Sequence, residues 1–504
     1  MNRGRSTSRT VTIAAAASAC VLVAVVAPAS GQAAPAAKAA RPTVTLRAAT
    51  DTVVAEKFGK RISADLGTYL VAGDVPFEVR TTRDPSYRTP VVGHLVVGEP
   101  DSEGGTADDV LLGPSMVVDF GGLQDFLHLR VRDADGHLVV DRTKDLCVGS
   151  QGVRTSPDAP DTSPYPSSFG CRFHPFTLGS VMGIQAGWGA PAFGEYGTRF
   201  RLPLGRYEVA MSVDPRYRDL LGLTSDTATE TVRMRVVKGD GDCRGCRSGS
   251  ATGAGRGSVA GPEAQPAAHE PRADIAPPTG TPLPDLRSLP STGIRVQKGH
   301  FLAFGATVWN GGPSNLVIDG FRRAGEDVMD SYQYFYDQAG DPAGHAQVGT
   351  MVWDPRDGHH HWHFRDFARY RLLDSDKQAI VRSKKEAFCL AATDAVDYTV
   401  PGANWEPWNT DLHTACGGHG SLAVREVLDV GSGDTYTQYR PGQSFNLDGL
   451  PDGIYFISVE ANPKHNLYEA DLTNNNSLRK VRIGTDRSGD RTVKVFDVGL
   501  IHTH

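Results

Sequence analysis

Between Lys238 and Pro282 the chain turns to glycine, alanine, proline and serine, with almost no large apolar residue. Such a stretch cannot bury enough surface to form a core and reads as a disordered linker. It divides the 504 residues into a first block, 41–237, and a second, 283–504. Each block must therefore build its own core. Both consist of short alternating runs broken by Gly, Pro, Asn and Asp, and neither carries a long helical period. That pattern predicts a mainly β chain, with two β-sandwich-like domains joined by the linker.

The two blocks echo one another. Leu202-Pro203-Leu204-Gly205-Arg206-Tyr207 is followed by alternating Val209, Met211 and Val213 and then Asp214-Pro215. Leu450-Pro451-Asp452-Gly453-Ile454-Tyr455 is followed by Ile457, Val459 and Ala461 and then Asn462-Pro463. The interval from tyrosine to proline is the same in both, which predicts an internal duplication. The overlay extends to the cysteines and pairs Cys147 with Cys171 and Cys389 with Cys416. Cys243 and Cys246, inside the linker, suggest no more than a small local bridge. The run Leu289 to Gly293 imitates a sortase signal, but no apolar tail follows it, so it reads as chance.

The N-terminus carries Arg3, Arg5 and Arg9 before an apolar run from Val11 to Ala27, then small residues. Residues 1–33 read as a secretory signal peptide with a small-x-small site at Gly31-Gln32-Ala33. Cys20 lies inside the apolar run rather than at its end, which argues against a lipid anchor. A secreted chain meets an oxidising compartment, where paired cysteines are disulfides by default. A net charge of −6 supplies no basic field for nucleic acid.

Only the second block carries an obvious reactive cluster. His359, His361 and His363 alternate in Gly358-His359-His360-His361-Trp362-His363, and alternate residues of an extended chain share one face. Three neutral imidazoles on one face suit a borderline transition metal. On a flat strand the outer two Cα atoms would lie about 13 Å apart, so the segment must bend, and Pro355 and Gly358 permit that. The run is embedded in an alternating apolar segment, unlike a purification tag. In the first block the corresponding stretch is placed around Phe126 to Val131, where His128 is the single histidine. That block is expected to be a non-catalytic duplicate.

Beyond the histidines, the second block resembles the catalytic domain of the lysyl oxidase family. The resemblance runs from Leu283-Pro284-Asp285-Leu286 through the histidine run to Lys385-Glu386-Ala387-Phe388-Cys389-Leu390. It continues through the Leu450 to Tyr455 element to Glu469, Asp471 and Thr473-Asn474-Asn475. It implies copper held by His359, His361 and His363. It also implies a lysine tyrosylquinone made from Lys385, three residues before Phe388, and Tyr436, nineteen before Tyr455. The implied activity is oxidation of a primary amine, including the lysine of a protein, to an aldehyde, with O2 consumed and peroxide and ammonia released. No membrane anchor and no nucleic acid enter this reading.

The sequence departs from the family pattern at three places. Gly358 stands where animal members have a cysteine, the cysteine shortly after Leu390 is absent, and His360 replaces a polar residue, leaving the ligand choice open among four histidines. In the first block neither Trp188 nor Phe193 supplies an equivalent tyrosine. Asp357, Asp366 and Asp434 are open candidates for a general base, and His502 with His504 reads as a frayed tail. The competing class is a secreted metal-binding or adhesion module in which the histidines hold a structural ion and no quinone forms.

Overall fold

The computed structural model describes residues 41–97, 109–148, 152–166, 171, 174–193, 198–239, 273–323, 325–356, 359–383, 385, 387–406, 414–439 and 442–503. The signal-peptide segment, Cys243, Cys246 and most of the linker lie outside them. The alternating runs do form strands, and the fold is mainly β. Two short helices, Pro215–Leu221 and Ser225–Ala228, occur among the described residues.

Each block has its own apolar core. Residues 44–236 contribute one, with Phe126, Leu127, Val209, Val213 and Tyr217 at its centre. Residues 286–483 contribute the other, around Phe304, Trp362, Phe364, Leu372 and Ile457. Among the described residues the first block holds two four-stranded sheets and one of seven strands, and the second holds two of six and one of five.

The duplicated element folds alike in both blocks. Strand Gly205–Val213 lies between Leu123–Asp133 and Thr229–Lys238, and Gly453–Ala461 lies between Ala368–Leu373 and Asn476–Thr485. Tyr207 donates its hydroxyl to Pro203 O at 3.0 Å, and Tyr455 donates to Pro451 O at 2.6 Å. Asp214 N donates to Phe126 O at 2.8 Å, and Asn462 N to Phe367 O at 2.7 Å. These matched bonds equate Phe126 with Phe367. The stretch Phe126 to Val131 therefore stands where the strand after the histidine run stands. Alternation alone fits several offsets, and the hydrogen-bonded neighbour selects one. The His128 ring faces the Asp141 carboxylate.

The described residues of the two blocks form one compact unit. Leu178 N donates to Val396 O at 2.7 Å and Tyr398 N to Gly179 O at 3.0 Å, so the start of strand Gly179–Ile184 runs parallel to residues 396–398. Tyr87, Phe176 and Leu178 of the first block pack with Leu289, Trp309 and Val396 of the second. Leu289 and Ser291, in the run that imitates a sortase signal, are buried. The C-terminal segment is held rather than frayed: Leu500 N donates to Tyr87 O at 2.6 Å, and Arg479 donates to the Thr503 hydroxyl at 2.8 Å. A fully buried guanidinium supplies a partner that tail composition does not reveal.

Candidate metal centre and lysine–tyrosine pair

The histidine run does bend, and the bend falls at His360. That residue adopts a left-handed backbone with φ of 50°. His359 sits in the preceding turn, where its N–H donates to Arg356 O at 2.9 Å. His361 opens strand His361–Arg365, which pairs with the end of strand Pro342–Asp354. His361 and His363 share a strand face by alternation, and the turn folds His359 back over them. Gly358 and Asp357 lie outside the described residues.

The three imidazoles converge. His361 Nε2 lies 2.9 Å from His363 Nε2, and His359 Nδ1 lies 3.5 Å from His363 Nε2. The His360 side chain is exposed and takes no part in the cluster. The Nδ1 of His361 lies 2.6 Å from His359 O, so that nitrogen carries the proton and Nε2 presents a lone pair to its neighbours. Burial, with the neighbouring His361 and Lys385 charges, pushes His363 down to about 3, and burial likewise lowers His359. His359 and His363 are therefore neutral near pH 7, as ligands must be.

Asp354 stands behind them. Its Oδ2 lies 3.1 Å from His359 Nδ1 and 3.3 Å from His363 Nδ1. Burial alone would raise this carboxyl, but hydrogen bonds from the Arg356 side chain and backbone, with the Arg356 charge, hold it well below the usual range. An anionic carboxylate against ring nitrogens fixes ring orientation. Sequence reasoning passed over Asp354. Its signal was present, because Asp354 ends the strand that pairs with the histidine strand, in register with His361.

Lys385 and Tyr436 come together from separate parts of the chain. The Lys385 Nζ lies 4.3 Å from the Tyr436 ring centroid and 4.9 Å from that of Phe388. Lys385 is buried beside Ser383, whose hydroxyl accepts from Lys385 N at 3.1 Å. Tyr436 ends strand Ser432–Tyr436, paired with Phe301–Asn310. Its hydroxyl donates to Cys389 O at 2.9 Å and accepts from Cys389 N at 3.0 Å. Phe388 meets the Tyr436 ring edge-on at 5.0 Å.

Two buried acids flank the pair. Asp434 is two residues before Tyr436 and shares its strand face. Its Oδ2 has no hydrogen-bond partner. Burial raises this carboxyl well above the ordinary range, against the pull of the Lys385 charge. Glu426, in strand Ala423–Leu428, accepts from Leu390 N at 3.0 Å through Oε2, while Oε1 has no hydrogen-bond partner, and burial raises it too. Desolvation and the two carboxylates together push the Tyr436 phenol well above its usual value. Of the other base candidates, Asp366 occupies a turn with φ of 62° and pairs with Lys464 at 2.9 Å.

The disulfides Cys147–Cys171 and Cys389–Cys416 are both present. The second joins the backbone anchor of Tyr436 to the residue whose carbonyl accepts from Trp362 N at 3.0 Å, between His361 and His363.

Fold and site together define a β-sheet domain in which a cluster of three imidazoles accompanies a buried lysine packed on a partly buried tyrosine. Residues 336–489, which contain both, match the lysyl oxidase family model. Human lysyl oxidase homolog 1 is 29% identical over 126 residues, which is 25% of this chain and 19% of that protein, and the bovine homolog 1 matches equally. Human protein-lysine 6-oxidase is 30% identical over 125 residues, 24% of this chain and 26% of that protein. Through this stretch the chain is similar to the lysyl oxidase family. It spans about a fifth to a quarter of the length of the curated relatives it matches.

Proposed function

We propose that this chain is a secreted, copper-dependent amine oxidase that converts primary amines, including lysine side chains of proteins, to aldehydes. The observation that carries the reading is the Lys385 Nζ lying 4.3 Å from the Tyr436 ring centroid in the same buried core as the histidine strand.

The residues fit the groups the family uses. An all-imidazole donor set suits copper, and the His359 Nε2 is buried without a hydrogen-bond partner. His359, His361 and His363 would hold the ion, and Lys385 and Tyr436 would supply lysine tyrosylquinone. When assembled, that group supplies an electrophilic carbonyl that accepts two electrons from a primary amine and returns them to O2 as peroxide, with ammonia released.

The remaining residues prepare that chemistry. Asp354 holds the imidazoles in register through their Nδ1 atoms. Asp434 Oδ2 is the acceptor for a proton leaving Lys385 Nζ, which leaves the amine neutral and nucleophilic. The Cys389 backbone fixes the phenol at its oxygen, so the ring presents its face to the lysine. Phe388, wholly buried, walls water away from the amine. Export is supported by the charged and then apolar N-terminal residues, and none of the described helices is long and apolar enough to cross a membrane.

The test is the visible spectrum of copper-loaded, oxygenated protein before and after phenylhydrazine, alongside metal analysis. A band that shifts to a hydrazone at about one copper per chain, the count that three converging imidazoles imply, supports the reading. Bound copper with no carbonyl-reactive band would refute it and favour a structural metal module.

A further inference from the structure

The seven-stranded sheet of the first block ends in two strands, Thr198–Phe200 and Leu138–Leu146. Among the described residues each pairs on one side only, with Arg61–Ala64 and Leu123–Asp133 respectively. The two free edges face one another across a groove of about 500 Å3 lined by Val139, Val140, Arg142, Arg199, Phe200 and Arg201. A side chain rather than backbone bridges it: Arg142 donates to Arg199 O at 3.1 Å.

The charge in this groove is one-sided. Register places Arg142 opposite Leu129 and Lys144 opposite Leu127, so both cations face the core side of the sheet. Arg142 lies over the Phe200 ring at 5.2 Å and Lys144 over Phe193 at 5.3 Å. Burial, reinforced by the Arg142 charge, lowers Lys144 to about 8, and burial lowers Arg142. Among the described residues no carboxylate pairs with Arg142, Arg199 or Arg201. Three arginines so placed on a chain of net charge −6 repel one another until an anion arrives.

We infer that this groove binds an extended acidic polypeptide, which adds as a strand between the two edges. Free edges supply backbone donors and acceptors, alternate side chains meet Phe200 and the valines, and carboxylates meet the arginines. The same cations stop a second copy of this chain from pairing there, since like-charged edges repel. A sulfated polysaccharide would satisfy the arginines but has no peptide backbone to pair with the edges.

The inference is independent of copper and of amine oxidation, so metal-free full-length protein is the sample. The probe is a fluorescein-labelled decapeptide alternating glutamate and valine, followed by anisotropy at low salt. We expect saturable binding that weakens by about tenfold or more in Arg199→Glu/Arg201→Glu, whose side chains are exposed. Arg142→Gln should weaken it in the same direction. A decapeptide alternating glutamate and proline, which cannot donate along the edge, should bind about tenfold more weakly. Absence of saturable binding, unchanged affinity in the arginine variants, or equal binding of the proline peptide would each overturn the inference. Equal binding of the proline peptide together with displacement by heparin would mark a general polyanion site instead.

Discussion

The phenol of Tyr436 and the backbone of Cys389 are joined in both directions, the hydroxyl donating at 2.9 Å and accepting at 3.0 Å. A tyrosine held this way has its ring orientation set before any chemistry begins.

Tyr436→Phe removes that anchor and takes the phenol partner from the part-buried N–H and C=O of Cys389. The expected loss is about 1–3 kcal/mol of unfolding free energy, read by denaturant melts. The variant should bind copper and show no phenylhydrazine-reactive band. Lys385→Ala should also lack the band. Normal activity in either variant would remove the pair from the mechanism.

Asp354→Ala should loosen the imidazoles whose Nδ1 atoms it faces at 3.1 and 3.3 Å. Loss of such an outer carboxylate costs about 10–100-fold in metal affinity. Chelator competition on the metal-free protein measures this, and an unchanged affinity would show that Asp354 serves only Arg356.

His174 predicts a pH dependence. It is buried against Thr307, with its Nε2 3.2 Å from the hydroxyl. Burial lowers it from an ordinary 6.5 to about 4, against the pull of Asp394. Between those values the unfolded chain binds a proton that the folded chain does not. Stability is therefore full above about pH 6.5 and falls as the pH drops towards 4, by roughly 3 kcal/mol at most. Denaturant melts across that window should be flatter for His174→Gln. Parallel curves would mean that His174 is not the group responsible.

Gly179 lies where the blocks meet, and a Cβ there would collide with the Asp397 carboxylate and the Thr399 hydroxyl. Gly179→Ala should destabilise by about 1–3 kcal/mol. Residues Asp394 and Ala395 pair with Gly433 and Ser432, on the strand that ends in Tyr436. Hydrogen exchange of 432–436 should accelerate, while Gly205–Val213 stays protected. Unchanged exchange at 432–436 would show that this seam does not support the Tyr436 strand.

Local pattern was enough to read the strands, the duplicated corner at Tyr207 and Tyr455, and both disulfides, because alternation and repeat spacing are local signals. The convergence of His359, His361 and His363 was legible from their periodicity, but the bend at His360 was not. A histidine with a left-handed backbone has no sequence mark comparable to glycine's. Glu426 and the seam at Gly179 were hidden for another reason. Each depends on which distant strand lies beside it, and composition does not encode that neighbour.

The Cys389–Cys416 bond fastens the residue that grips the phenol to the residue that grips the histidine strand. One covalent link therefore sets the spacing of two reactive groups drawn from positions far apart in the chain. In a reducing environment that link opens and both grips slacken together. For the secreted oxidase proposed above, assembly of the reactive centre therefore follows oxidation of this one cysteine pair.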